Sequence, residues 1–216
     1  RRGAIIMSTV FNQANMMFLL EGMKLTLTIA LISIVLSMVF GTILAVMRNF
    51  SKGLFGRIAT IYIEIFRNTP LLLWILAIRF LVPIRPMYSG ILSFTLFTSA
   101  VMAEIFRGGM NSVSKGQYEA AYSQGFSKFQ TLRYIILPQS FRRCIPTFLS
   151  QAVTVIKDTS FLWAVGIEEF TGKGMILMGS FATSFQIFLL FGALAGMYFI
   201  INFTISCGVR TIRTEY

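Results

Sequence analysis

Histidine is absent from the 216 residues, cysteine occurs twice, proline five times, and only 8 acidic residues face 19 Lys and Arg. Without histidine, zinc and haem sites lose their usual nitrogen ligand. Nor can a Ser–His or Cys–His couple be assembled for nucleophilic catalysis. Cys144 and Cys207 have no metal-binding or redox spacing and read as small apolar fillers. Charge is scarce as well: 12% of residues are charged, where soluble domains reach about 25%. No GxxxxGK[ST] P-loop occurs, so the sequence carries no ATP-hydrolysing motif of that kind.

What is present is apolar. Hydrophobic residues make up 56% of the chain and the mean hydropathy is +0.74, more apolar surface than a soluble fold can hide. Five segments are expected to cross a bilayer as helices: Leu25–Met47, Ile58–Val82, Gly90–Phe106, Ile145–Gly166 and Phe185–Val209. A short interfacial helix over Met16–Lys24 is expected to lead into the first. Residues 1–6, ahead of Met7, read as an added or upstream stretch, and no cleavable signal peptide is expected. The whole, residues 1–216, reads as one all-α transmembrane domain with a polar loop at about 107–143.

The net charge of +11 could point to nucleic acid, but the basic residues sit between apolar runs rather than along one helix face. Arg48, Lys52 and Arg57 follow the first span. Arg107, Lys115, Lys128, Arg133, Arg142 and Arg143 lie between the third and fourth, and Arg210 and Arg213 follow the fifth. The intervening loops carry only Arg85 and Lys173. The positive-inside bias therefore predicts an outside N-terminus and a cytoplasmic C-terminus.

Within the long basic loop, Gln117-Tyr118-Glu119-Ala120-Ala121 reads as a short helix stopped by Gly125, with Glu119 near its start against the helix dipole. Phe126 and Phe129 anchor the next turn, and Pro138 is expected to close the segment. Read as EAA-x3-G-x9-IxLP, the stretch resembles the loop by which permease subunits of type I ATP-binding-cassette importers grip their ATPase. Glu64-Ile65-Phe66-Arg67-Asn68-Thr69-Pro70-Leu71-Leu72, Ala103-Glu104-Ile105-Phe106-Arg107-Gly108-Gly109 and Lys157-Asp158-Thr159-Ser160-Phe161 are similar to stretches of the polar amino-acid permeases of that class. The last has Phe where the family has Leu.

The resemblance implies a five-helix permease in a bacterial inner membrane that pairs with a second permease subunit, identical or closely related. It also implies two cytoplasmic ATPase subunits and an extracytoplasmic binding protein. Gln117, Glu119, Ala120, Ala121, Gly125 and Phe126 would then form the ATPase-coupling element. ATP and Mg²⁺ would be bound by the partner, leaving this chain a transport subunit without enzyme activity or cofactor.

Ionisable residues inside apolar spans mark a pathway, a partner or an interface. Glu64 with Arg67, and Glu104 with Arg107, stand at i,i+3 and read as structural pairs. Lys157-Asp158-Thr159-Ser160 has two readings. In one it lines a substrate cavity, Lys157 meeting a carboxylate, Asp158 an ammonium, and Thr159 and Ser160 adding hydroxyls. In the other, Lys157 and Asp158 pair with each other at a helix end. Thr69-Pro70 bends its helix and could expose carbonyls to the same cavity. Arg79 either snorkels outward or faces the entrance and attracts glutamine or glutamate. An ion-gradient-driven carrier using Asp158 or Glu104 as a proton relay, and a non-transporting scaffold, are the competing functions.

Overall fold

In a computed structural model describing residues 7–51 and 53–214, the side chains of 209–214 excepted, the chain is helical, with no strand among the described residues. The reading of residues 1–6 falls outside them. Helix α1 spans Gln13–Phe50, capped by Asn12, whose Oδ1 accepts from the Asn15 N–H at 2.8 Å. Its 38 residues extend roughly 57 Å at the α-helical rise. The separate interfacial helix expected over Met16–Lys24 is thus the first part of one continuous helix.

The buried face of α1 repeats small residues: Gly22, Thr26, Ala30, Ser33, Ser37, Gly41 and Ala45. That seam admits helix α4 (Pro86–Asn111) at close range. A Cβ on Gly41 would sit 2.6 Å from Met102 Cβ and 2.9 Å from the Ser99 carbonyl oxygen. The Ser33 and Ser37 hydroxyls donate to the carbonyls of Ile91 and Thr95 at 3.3 and 3.2 Å. Lipid tails are as apolar as leucine, so helices in a bilayer associate through such close packing and interhelical hydrogen bonds.

The segment expected as a single span, Ile58–Val82, is two helices, α2 (Leu54–Arg67) and α3 (Leu71–Leu81), bent by 104° at the break. Pro70 brings no N–H and disfavours helical backbone in the residue before it. The groups at the corner are satisfied locally. The Thr69 hydroxyl donates to the Ile65 carbonyl at 2.7 Å, and Trp74 Nε1 donates to Thr69 Oγ1 at 2.7 Å.

Helix α5 (Lys115–Ser123) precedes one turn over Lys128–Gln130, a π-helical stretch over Thr131–Ile136, and α6 (Leu137–Asp158), which follow one another without a break. Pro138 therefore does not close the segment. The wide π turn gives room where its ring crowds the preceding carbonyls and its missing N–H breaks the ladder. The α-helix ends at Asp158, and a 3-10 stretch, Thr159–Val165, runs to Gly166 at φ 75°. The expected span Ile145–Gly166 is accordingly not one helix. Helices α7 (Phe170–Met178) and α8 (Ser184–Thr214) complete the order.

Among the described residues, α1, α4 and α8 are long and apolar enough to cross a membrane, and the α2–α3 pair passes if counted as one broken span. Helix α6 has the length, 22 residues, but too many polar groups to qualify on apolarity. Helix α4, the shortest expected span, runs 26 residues and is the most enclosed, with 67% of its apolar window buried.

Candidate functional site

Helices α6, α7 and α8 border an open, mostly apolar cavity of about 670 Å³ whose polar lining is Lys157, Ser160, Thr171, Tyr198, Asn202 and Ser206. Helical spacing splits the run of four polar residues, since positions i and i+3 share a face and the two between them do not. Lys157 and Ser160 line the cavity, whereas Thr159 is fully buried and its hydroxyl donates to the Ile156 carbonyl at 2.7 Å. Asp158 is half-buried outside the lining, so the ammonium-binding role expected for it has no geometric basis. Thr69, Pro70 and Arg79 are not brought to this cavity either. Arg79 is half-buried, its Nε enclosed without a hydrogen-bond partner among the described residues.

Four polar lining groups were missed in the sequence: Thr171, Tyr198, Asn202 and Ser206. A signal existed, since Tyr198 and Asn202 stand at i,i+4 on one face of an otherwise apolar helix. Asn202 Nδ2 donates to the Tyr198 carbonyl at 2.8 Å, while Asn202 Oδ1 is buried with no partner among the described residues. Behind this wall lies Glu169, fully buried at the start of α7. It accepts from the Gly172 and Thr171 amides at 2.8 and 3.0 Å, from the Thr26 hydroxyl at 3.1 Å and from the Tyr198 hydroxyl at 3.2 Å. Burial raises its carboxyl above the ordinary carboxylate range, opposed by those hydrogen bonds.

The expected charge pairs are rearranged. Glu104 accepts from Arg107 Nη2 at 2.9 Å, as the i,i+3 spacing predicts, but also from Arg48 at 2.6 Å and lies 3.5 Å from Arg67. Glu64 binds Arg48 at 2.9 Å rather than Arg67. Once α1 packs against both α2 and α4, the Arg48 guanidinium can reach both carboxylates, and the more enclosed Glu104 gathers three cations.

At the same end of the bundle, α5 stops in a Schellman turn: the Gly125 N–H donates to the Tyr122 carbonyl at 3.0 Å and the Phe126 N–H to the Ala121 carbonyl at 3.1 Å. Gly125 has φ 82°, the left-handed backbone that the sequence placed there. Glu119 is the fifth residue of α5, so no acid occupies its first turn and the expected dipole contact is not made. Ala121 is buried against the protein, Phe126 is half-buried, and Gln117, Glu119 and Ala120 are exposed. Gln117 Oε1 accepts from Gln139 Nε2 at 3.2 Å, tying α5 to α6. Arg143 Nη1 donates to the Ser112 carbonyl and fixes the loop's other side. Tyr122, Phe129 and Tyr134 project from this end at 46, 67 and 63% exposure.

Residues 37–213 match the family described as binding-protein-dependent transport system inner membrane component. The chain belongs to that family. A probable glutamine ABC transporter permease protein of Bacillus subtilis (strain 168) is 35% identical over 210 residues, covering 95% of this chain and 96% of the relative. The glutamine transport system permease protein of Escherichia coli (strain K12) is 31% identical over 201 residues, 90% of each. A crystal structure of an amino acid ABC transporter with histidines superposes with a TM-score of 0.83 at 25% identity, covering 92% of this chain and 94% of that one. The chain is thus an inner membrane permease subunit of the ATP-driven kind, and the gradient-driven carrier is set aside. The all-helical importer-permease fold expected from the sequence is the fold observed.

Proposed function

We propose that this chain lines the path by which a polar amino acid of the glutamine class is imported, as a multi-pass subunit of a bacterial plasma membrane. The observation that carries the reading is the cavity at the end of α6. Lys157 offers a cation for a carboxylate. Ser160 and Thr171 add hydroxyls that can donate or accept, and the Tyr198 hydroxyl, which donates to Glu169, adds an acceptor. The relatives' printed substrate, glutamine, carries the groups this lining complements.

A second permease copy or close paralogue, two cytoplasmic ATPases and an extracytoplasmic binding protein complete the assembly, with ATP and Mg²⁺ bound by the ATPases. The N-terminus lies outside and the loop over 107–143 in the cytoplasm, in keeping with the distribution of Lys and Arg. The exposed Glu119 and Ala120 and the projecting aromatics suit a groove on the ATPase. Nucleotide-driven movement of α5 then shifts the population between inward-open and outward-open arrangements of the bundle. Reconstituted with ATPase and binding protein, the complex should accumulate radiolabelled glutamine only with ATP, and glutamine should outcompete basic and apolar amino acids. Uptake on an ion gradient without ATP, or stronger competition by arginine or methionine, would sink the proposal.

A further inference from the structure

Two cavities lie along one face of α1, the first where it meets α2 and the second where it meets α4 beside Tyr62 of α2. The first, about 340 Å³, is lined by Arg48, Arg57, Ser51 and Thr60 with the backbone of Gly53 and Gly56, and holds no acidic side chain. The second, about 260 Å³, is almost wholly apolar, walled by Phe40, Ile43, Leu44, Tyr62, Leu92 and Leu96. Phe40, Ile43, Leu44, Arg48 and Ser51 follow at helical spacing on the same face, so the apolar cavity begins about one turn beyond the cationic one. Arg48 is engaged by Glu64 and Glu104, but Arg57 is exposed and in no ion pair among the described residues. Arg48, Arg57, Arg67 and Arg107 are set against only Glu64 and Glu104, which leaves this corner with an excess of two positive charges.

The outer face of α2 continues the pattern. Leu54, Phe55, Ile58 and Ile61 are exposed on it, next to the polar stripe of Arg57, Thr60 and Glu64. A headgroup that is only a point anion would use the first cavity and ignore the second. A neutral lipid would gain nothing from the charge excess. An anionic phospholipid uses both.

We infer that this corner binds one anionic phospholipid, its phosphate held at Arg57 beside Arg48 and one acyl chain laid along Leu44, Ile43 and Phe40. Arg57 supplies the cation that is free to reorient, while Arg48, fixed by its carboxylates, sets the depth of the headgroup. The lipid packs the corner where α1 meets α2 and α4 and thereby braces the charge network around Glu104.

The test is lipid retention by the purified, assembled complex, measured by native mass spectrometry after exchange into phosphatidylcholine with and without phosphatidylglycerol. Phosphatidylglycerol should be retained in preference to phosphatidylcholine, and Arg57→Gln should weaken retention about fivefold, the worth of one basic side chain at an anionic membrane surface. Ile43→Trp, which fills the apolar cavity and alters no charge, should lower it as well and serves if Arg57→Gln does not assemble. Equal retention of the two lipids overturns the proposal. So does displacement of phosphatidylglycerol by millimolar inorganic phosphate, which would mean a simple anion site. A cysteine cross-link between Ile61 positions of two permease copies would also overturn it, because the face would then be covered by protein.

Discussion

Arg48 on α1 donates to Glu104 on α4 at 2.6 Å, joining positions 56 residues apart in the chain. The carboxylate has 15% of its side chain exposed and serves three guanidiniums. Removing the shared acceptor leaves three cations facing one another in a partly enclosed site. Glu104→Gln should therefore destabilise the subunit by about 3 kcal/mol, the usual cost of orphaning enclosed charges. Arg67→Gln, whose side chain is 42% exposed, should cost under about 1 kcal/mol. Thermal unfolding in detergent checks the difference, and equal effects would contradict the central role of Glu104.

Gly41→Ala should destabilise by about 1–3 kcal/mol, because the added methyl meets Met102 Cβ and the Ser99 carbonyl rather than a movable side-chain tip. Gly108→Ala, with open space around its Cβ, should be neutral or slightly stabilising. The melting temperatures of the two variants should separate.

Gly125→Ala forces a side chain into left-handed backbone at φ 82°, costing about 1 kcal/mol, and disturbs the Schellman turn that aims α5. ATP hydrolysis stimulated by the loaded binding protein should fall while membrane insertion persists. Gly125→Asn should recover part of the activity, since asparagine tolerates that conformation better.

In the uptake assay, Lys157→Gln should raise the KM for glutamine about tenfold or more through loss of a charge-assisted hydrogen bond. Asp158→Asn, outside the cavity lining, should change it far less. If Asp158→Asn has the larger effect, the cavity is wrongly assigned.

Glu169 makes a pH-dependent contribution. Its folded-state pKa is raised by burial, so the folded form binds the proton more tightly than the unfolded one. The associated stability is fully present below the unfolded carboxylate value and is lost as pH rises through the folded value. Glu169→Gln should flatten that component of melting temperature against pH, while Glu169→Ala should lower stability at every pH by leaving the Thr171 and Gly172 amides without an acceptor.

Much of the frame was legible because it rests on local chemistry. The EAA segment, the turn at Gly125, the break at Pro70 and the apolar runs depend on nearest neighbours and helix periodicity. The small-residue seam from Gly22 to Ala45 was equally legible but overlooked, because it lies within an apolar run where hydropathy alone gives no contrast. The candidate site was less accessible. Lys157 and Ser160 stood out as polar groups in an apolar segment, yet which face of the helix borders the cavity depends on how α7 and α8 pack against it. Glu169 acquires its setting only from contacts to distant residues, Thr26 and Tyr198.

Composition and local pattern by themselves determined that this chain is a helical membrane protein with a long polar loop, since burying apolar surface and satisfying backbone hydrogen bonds in lipid leave few other solutions. Which charges meet was decided only by the tertiary structure. The i,i+3 rule correctly paired Glu104 with Arg107 and wrongly paired Glu64 with Arg67. Packing α1 against α2 and α4 delivered Arg48 to both carboxylates, and Coulomb attraction follows distance in space, not separation along the chain.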